Sequence, residues 1–270
     1  MLNLIKMDAY RLAKSKQFKI GLIISFVFSF AVVAVIAGIG KLIPLLGEDG
    51  EGILFLFPYA DWFSQVSIFT VILTVTSYLS LMISCMISSN FINEEQANGY
   101  FKNIAGQVKD KSMLILSKFF TVFVISLAVL VCYVAGSALA SVILMGNSLT
   151  FDYPDGFAFA MCTRFVLYLA VNAIIIFLCT LTKSKSLAIA FGLVFGTGVT
   201  GFAYSIISTF IEMIVKVDIS ISSFTPDGQV FSITAESTNG ELAKAFAVGI
   251  CYIVAFLFFS SLILKKRDNK

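Results

Sequence analysis

Long apolar runs alternate along this chain with short polar connectors, and charge is confined almost wholly to the connectors. Six runs stand out: Phe18 to Gly40, Phe63 to Ile92, Met113 to Met145, Phe157 to Leu181, Leu187 to Ile211 and Leu242 to Leu264. Phe63 to Ile92 holds no formal charge, and Met113 to Met145 holds only Lys118. About 20 apolar residues in a helix cross the hydrocarbon core. Lipid offers no partner to an open backbone, so each run is expected to be a helix. A β-barrel would instead show alternating segments of about 10 residues. The expected fold is all-α and polytopic, one transmembrane domain over 1–270 with spans at 18–40, 63–92, 113–145, 157–181, 187–211 and 242–264.

Composition agrees with that class. Hydrophobic residues make up 59% of 270 and charged residues 13%, against roughly 45–50% and about 25% in soluble domains. The mean hydropathy is +0.95. A soluble fold would have too little polar surface to cover itself.

Basic residues set the orientation, because short cytoplasmic loops carry the excess of Lys and Arg. With six spans both termini share a side, and that side takes 15 of the 19 basic residues. Lys41, Arg164, Lys216 and Lys244 fall on the other, together with Glu48, Asp49, Glu51, Asp61, Asp152, Asp155, Asp218, Asp227, Glu236 and Glu241. The expectation is a multi-pass protein of the cytoplasmic membrane with both termini inside. Its net charge of +3 averages two faces of opposite sign, and no basic patch with interleaved aromatics suggests nucleic acid.

Residues 1–17 carry Leu2, Ile5, Ala9, Leu12 and Ala13 on one helical face and Lys6, Arg11 and Lys14 opposite. That pattern suits a short interfacial helix in the inner headgroup layer, before an uncleaved first span. The chain has no histidine, which removes the commonest metal ligand and acid–base group. Cys85, Cys132, Cys162, Cys179 and Cys251 lie in or beside apolar runs with no CxxC pair, as small buried hydrophobes do. No phosphate-binding GxxxxGK[ST] loop occurs. Gly192 and Gly196 form a GxxxG pair of the sort that lets membrane helices approach closely.

NEEQANGYFKNIAGQVKDKS, residues 93–112, joins the second and third spans on the cytoplasmic side. Glu94 and Glu95 sit where a short helix would begin, a position its dipole favours. Phe91, Tyr100, Phe101 and Ile104 are more apolar than a solvated connector requires, and Gly99 or Gly106 allows a turn. Lys109 and Lys111 mark re-entry beside an anionic leaflet. An element of this kind can dock into a soluble partner and pass a push to two long helices.

The string FINEEQANGYFKNIAGQVKDKSMLILSKFF, residues 91–120, resembles the coupling segment of type-2 ABC transporter permeases of the peptide and lantibiotic-immunity branch. Glu95, Asn98, Gly99, Lys102, Ser117 and Lys118 match that segment in kind and order, while Tyr100 stands where Thr is usual. The resemblance implies a permease subunit of an ATP-driven exporter for a peptide, drug or lipid-like molecule, used for resistance or self-protection. It also implies an ATPase-coupling site at Glu94, Glu95, Asn98, Gly99, Tyr100, Phe101, Lys102 and Ile104. The implied partners are cytoplasmic ABC ATPase subunits, which bind the ATP and Mg, and a second permease copy or a sister permease. The chain itself is expected to bind no cofactor and to be no enzyme. The competing class is a non-transporting membrane sensor or scaffold whose loop binds a partner.

In the second span Ser67, Thr70, Thr74, Ser77, Ser84 and Ser88 recur at helical spacing. Such a stripe lines a path for an amphipathic cargo, or packs against a neighbouring helix with hydroxyls bonded to carbonyls one turn back. Arg164, Glu212 and Lys118 fall near span ends and are read as snorkelling anchors. Residues 216–240 form an outer loop whose alternation at VDISIS and QVFSIT, around TPDG, predicts a small hairpin, whereas the family resemblance implies short re-entrant helices. Trp62, Tyr59 and Phe57 mark the outer interface.

Overall fold

A computed structural model describes residues 2–42, 66–76, 79–97, 112–146, 149–182, 185–215, 220–234 and 237–267. Helix α1 (Leu2–Lys14) leads into α2 (Lys16–Leu42) through Ser15, whose hydroxyl accepts the Phe18 N–H at 3.4 Å and so caps α2. There follow α3 (Ile68–Thr76), α4 (Leu79–Ala97), α5 (Ser112–Met145), α6 (Phe157–Thr182), α7 (Lys185–Thr197) and α8 (Thr200–Val215). A 3₁₀ turn (Ile221–Phe224), the short α9 (Pro226–Ser232) and α10 (Asn239–Arg267) complete the chain. Helix α10 opens on a capping box: the Thr238 N–H donates to Glu241 Oε2 at 2.9 Å, and the Glu241 N–H to Thr238 Oγ1 at 3.4 Å. Two strands of two residues each, β1 (Val66–Ser67) and β2 (Leu149–Thr150), pair in parallel.

Among the described residues, α2, α5, α6 and α10 are each long and apolar enough to cross a membrane. Helix α6 is central. Leu167 to Ile176 are buried without interruption, the signature of a helix surrounded by others rather than facing lipid on one side. Helix α10 packs along α6, α2 along α5, and α4 against α7. The α4–α7 contact needs the GxxxG pair: a Cβ on Gly192 would lie 3.0 Å from Cys85 Cβ, and one on Gly196 would overlap Met82. Ile23, Val27, Phe202, Ile206, Phe210 and Phe258 are exposed on α2, α8 and α10. In a bilayer those faces meet acyl chains.

Two expected spans are not single rods. The run 187–211 divides into α7 and α8, inclined by 68°. Between them Gly198 has φ +73°, and a Cβ there would press the Phe231 ring at 3.1 Å. Glycine adopts this left-handed conformation at little cost. The run 63–92 becomes α3 and α4, inclined by 41°. Its helix also ends later than expected, so Glu94 and Glu95 lie in the last turn of α4 and not at the start of a new helix. Phe91, Ile92 and Asn93 are buried there, which draws the helix onward by a turn.

The expected hairpin at 216–240 is replaced, across the described residues 220–234, by the 3₁₀ turn and α9. Pro226 takes the first helical position, where its missing N–H costs nothing and its φ suits the helix. Cys85 and Cys179 are buried, but Cys162 and Cys251 are exposed on helix faces, since apolar sequence in a membrane helix does not require a protein neighbour. Trp62, Tyr59 and Phe57 lie outside the described residues.

Candidate functional site

Three polar side chains stand one turn apart on α6 and point into the bundle: Arg164, Tyr168 and Asn172, each 0% exposed. Arg164 does not snorkel, because α6 is enclosed. Its Nη1 donates to the Leu73 carbonyl and, at 2.8 Å, to Thr76 Oγ1, while Nη2 donates to the Ile233 carbonyl at 2.7 Å. Leu73 and Thr76 belong to the last turn of α3, and Ile233 is the C-cap of α9. Carbonyls at a helix C-terminus lack intrahelical donors and carry the negative end of the dipole. A guanidinium offers several donors in a fixed fork and stays charged in any protein setting. Arg164 therefore closes the ends of two separate helices at once.

Tyr168 continues the ladder. Its hydroxyl donates to the Thr76 carbonyl and meets Ser80 Oγ, which itself donates to the Thr76 carbonyl at 2.6 Å. One turn further on, Asn172 Nδ2 donates to Ser84 Oγ at 3.0 Å, to Ser126 Oγ at 3.3 Å and to the Tyr168 carbonyl at 3.0 Å. Ser84 and Ser126 are 3.0 Å apart. The ladder thus binds α6 to both halves of the bent pair α3–α4 and to α5. Closer to the C-terminal end of α4, Asn93 Nδ2 donates to the Ser89 carbonyl at 2.8 Å and to Cys179 Sγ at 3.4 Å.

A second cluster joins α1 to the helices on either side of residues 98–111. Asp8 is 1% exposed. Lys118 Nζ lies 2.9 and 3.0 Å from its two carboxylate oxygens, and Ser117 Oγ donates to it at 2.6 Å. Arg11 stands 3.8 Å from the same carboxylate, and Arg11 and Lys118 approach the Phe91 ring at 5.1 and 5.7 Å. Gln17 Nε2 donates to Glu94 Oε1 at 2.6 Å. Lys118 is accordingly a buried ion-pair partner, not an anchor reaching for water. Phe91 and Glu94 belong to the last two turns of α4, Ser117 and Lys118 to the first two turns of α5.

The structure places the expected site residues unevenly. Glu94 and Glu95 end α4, whereas Asn98, Gly99, Tyr100, Phe101, Lys102 and Ile104 lie outside the described residues. Of the hydroxyl stripe, Ser67 donates to the Asp152 carbonyl at 2.9 Å, and Thr74 to the carbonyl of Thr70 at 3.0 Å. Ser84 and Ser88 are buried, Ser84 within the Asn172 network, and Ser77 lies outside the described residues. Sequence reasoning missed Tyr168, Asn172, Ser126 and Asp8. The spacing of Arg164, Tyr168 and Asn172 was a usable signal, as was the isolation of Asp8, the sole acidic residue before Glu48. Among the described residues no three Cys, Asp or Glu side chains converge as metal ligands would.

A sequence model of the ABC-2 family transporter proteins matches residues 4–200. The chain belongs to that family. No curated protein and no solved structure matches it significantly. As a member it is a multi-pass membrane protein and the permease subunit of an ABC transporter, a transport subunit of the kind that normally works with a cytoplasmic ABC ATPase. The matched region holds the Asp8–Lys118 pair, the whole stretch between α4 and α5, and the α6 ladder of this ABC-2 transporter protein.

Proposed function

We propose that this permease is half of the membrane part of an ATP-driven exporter, moving a peptide, drug or lipid-like molecule outward. Each bent pair counts as one span, which makes six, with both termini cytoplasmic and α1 in the inner headgroup layer. Two such chains, identical or sister, assemble with two ATPases, and ATP and Mg bind in those partners. Residues 93–112 form the coupling segment. Closure of the ATPases presses on it and displaces α4 and α5 together, since Asp8, Phe91 and Lys118 join their inner ends through α1. Ser84, Ser88 and Asn172 are the polar groups that this movement would bring to the pathway. The observation that carries the reading is the family match across the entire α4–α5 connection.

The test is recovery of the partner ATPase on the tagged permease at equal membrane levels. Burying a large side chain stabilises an interface by about 1.5–3 kcal/mol, and about 1.4 kcal/mol is one decade. Tyr100→Ala with Phe101→Ala should therefore reduce recovery at least about tenfold, while Ser77→Ala leaves it unchanged. Equal recovery from all three proteins would make 93–112 a plain connector and favour a sensor or scaffold.

Topology has its own test. In a cysteine-free background, Ser184→Cys and Asp268→Cys should react with impermeant thiol probes only from the cytoplasm, and Asp152→Cys and Gly240→Cys only from outside. Gly240 has open space at its Cα, so the substitution is sterically free. Labelling of position 240 from the cytoplasm rules out the six-span arrangement.

A further inference from the structure

A cavity of about 480 Å³ is bordered by the 3₁₀ turn, α9 and the first two turns of α10. Small-molecule sites are of this size, roughly 300–1,000 Å³. Its wall is polar. The two apolar residues along it, Ile233 and Leu242, are 5% and 1% exposed, so they offer no slot for a hydrocarbon tail. Arg164 fixes part of the wall, because its Nη2 donates to the Ile233 carbonyl. Two charges of opposite sign line the cavity, Glu241 and Lys244. They are three residues apart on α10, a spacing that puts Cβ atoms about 5–6 Å from each other. Among the described residues, however, each is engaged elsewhere and not with the other. Glu241 Oε2 accepts the Thr238 N–H, and Lys244 Nζ lies 4.8 Å from the centre of the Phe224 ring. Acid and base are thus held apart, and both are exposed. The wall hydroxyls act as acceptors. Ser223 Oγ donates to the Ser220 carbonyl at 2.7 Å and Ser232 Oγ to the Gln229 carbonyl at 3.0 Å, which leaves their lone pairs for N–H donors.

We propose that this cavity takes a short zwitterionic peptide, its terminal ammonium at Glu241, its terminal carboxylate at Lys244 and its amides on Ser223 and Ser232. A simple anion or a simple cation would leave one of the two charges unanswered. An extended chain covers about 3.3–3.6 Å per residue. Two or three residues therefore reach between side chains that stand a helical turn apart and are turned to different partners. The proposal rests on the six-span reading only for the side from which the peptide arrives, which is the outside.

The test is saturation-transfer NMR on the purified permease with triglycine, its N-acetyl form and its C-terminal amide. The wild-type protein should bind triglycine about tenfold more tightly than either blocked form, since each blocked end loses one charge-assisted contact. Glu241→Gln keeps the cap on α10, because glutamine also serves in a capping box. That variant should bind triglycine and its N-acetyl form alike, while still favouring triglycine over the amide. Lys244→Met should show the reverse. Absence of saturable triglycine binding, or equal binding of all three peptides by wild type, overturns the proposal. So does loss of both preferences in each single variant, since the two ends would then not be read separately. Tighter binding of glycerophosphoethanolamine than of triglycine also overturns it, since the site would then read a lipid headgroup. No ATPase and no membrane sidedness enter this measurement, so its failure leaves the exporter reading untouched, and loss of that reading leaves the binding result standing.

Discussion

Arg164→Met should destabilise the folded permease by about 3 kcal/mol or more and abolish transport. The substitution keeps much of the side-chain volume but removes the guanidinium donors to the Leu73 carbonyl, Thr76 Oγ1 and the Ile233 carbonyl, the first of which still accepts from Thr76 Oγ1 at 3.1 Å. Each buried group left unsatisfied costs about 1–3 kcal/mol, and the lipid around the bundle supplies no water in exchange. Removing a buried charge offsets part of that loss. For a chain of this size about 1 kcal/mol moves the melting midpoint by roughly 2–4 °C, so a drop of about 6 °C or more is expected. Arg164→Lys is the sharper comparison. It keeps the charge, but a single ammonium cannot hold the ends of α3 and α9 together as a fork does. The lysine variant should therefore fall between wild type and methionine in midpoint while remaining inactive in transport. A methionine variant with a wild-type midpoint would show that the two helix ends do not need the guanidinium.

Asp8→Leu should cost about 3–5 kcal/mol, because it strips the carboxylate from Lys118, which is only 5% exposed. Loss of a buried partner is more damaging than loss of the pair, so Asp8→Leu with Lys118→Met should recover most of the stability. In such a cycle, residues in direct contact show interaction energies of about 0.5–3 kcal/mol. Hydrogen exchange over residues 2–14 gives the local reading: α1 should lose protection in the single variant and regain it in the double. Strict additivity of the two substitutions would mean that the ion pair does not hold α1 in place. ATPase stimulation adds a second reading. If α1 keeps the inner ends of α4 and α5 moving together, the double variant should be stable yet transmit poorly.

How far the architecture was legible depended on how local its cause is. The runs at 18–40, 113–145, 157–181 and 242–264 each became one long helix, because a bilayer leaves a continuous apolar segment no other way to satisfy its backbone. The GxxxG pair at Gly192 and Gly196 was also readable, since only small residues admit a neighbouring helix so closely. The bends at 63–92 and 187–211 were not. Gly198 hinted at one of them, yet a glycine inside an apolar run serves equally as a packing surface. What closes the other bend, Arg164 with Tyr168, lies some ninety residues away in sequence. The alternation around TPDG argued for a hairpin, where Pro226 instead opens a short helix.

Family, membrane class and the helical identity of most segments were determined by the sequence alone, the last two from composition and periodicity and the family from the match over residues 4–200. The roles of Asp8, Lys118 and Arg164 were decided only by the tertiary structure. A charged residue near a span end can reach water or turn inward, and its own neighbours in sequence do not choose between them. Helix α6 became the centre of the bundle, so Arg164 met the open ends of α3 and α9 instead of solvent. Helix α1 docked on α5, so Asp8 and Lys118 were buried together. Burial sets the energetic weight of a charge, and burial is a property of the packed helices.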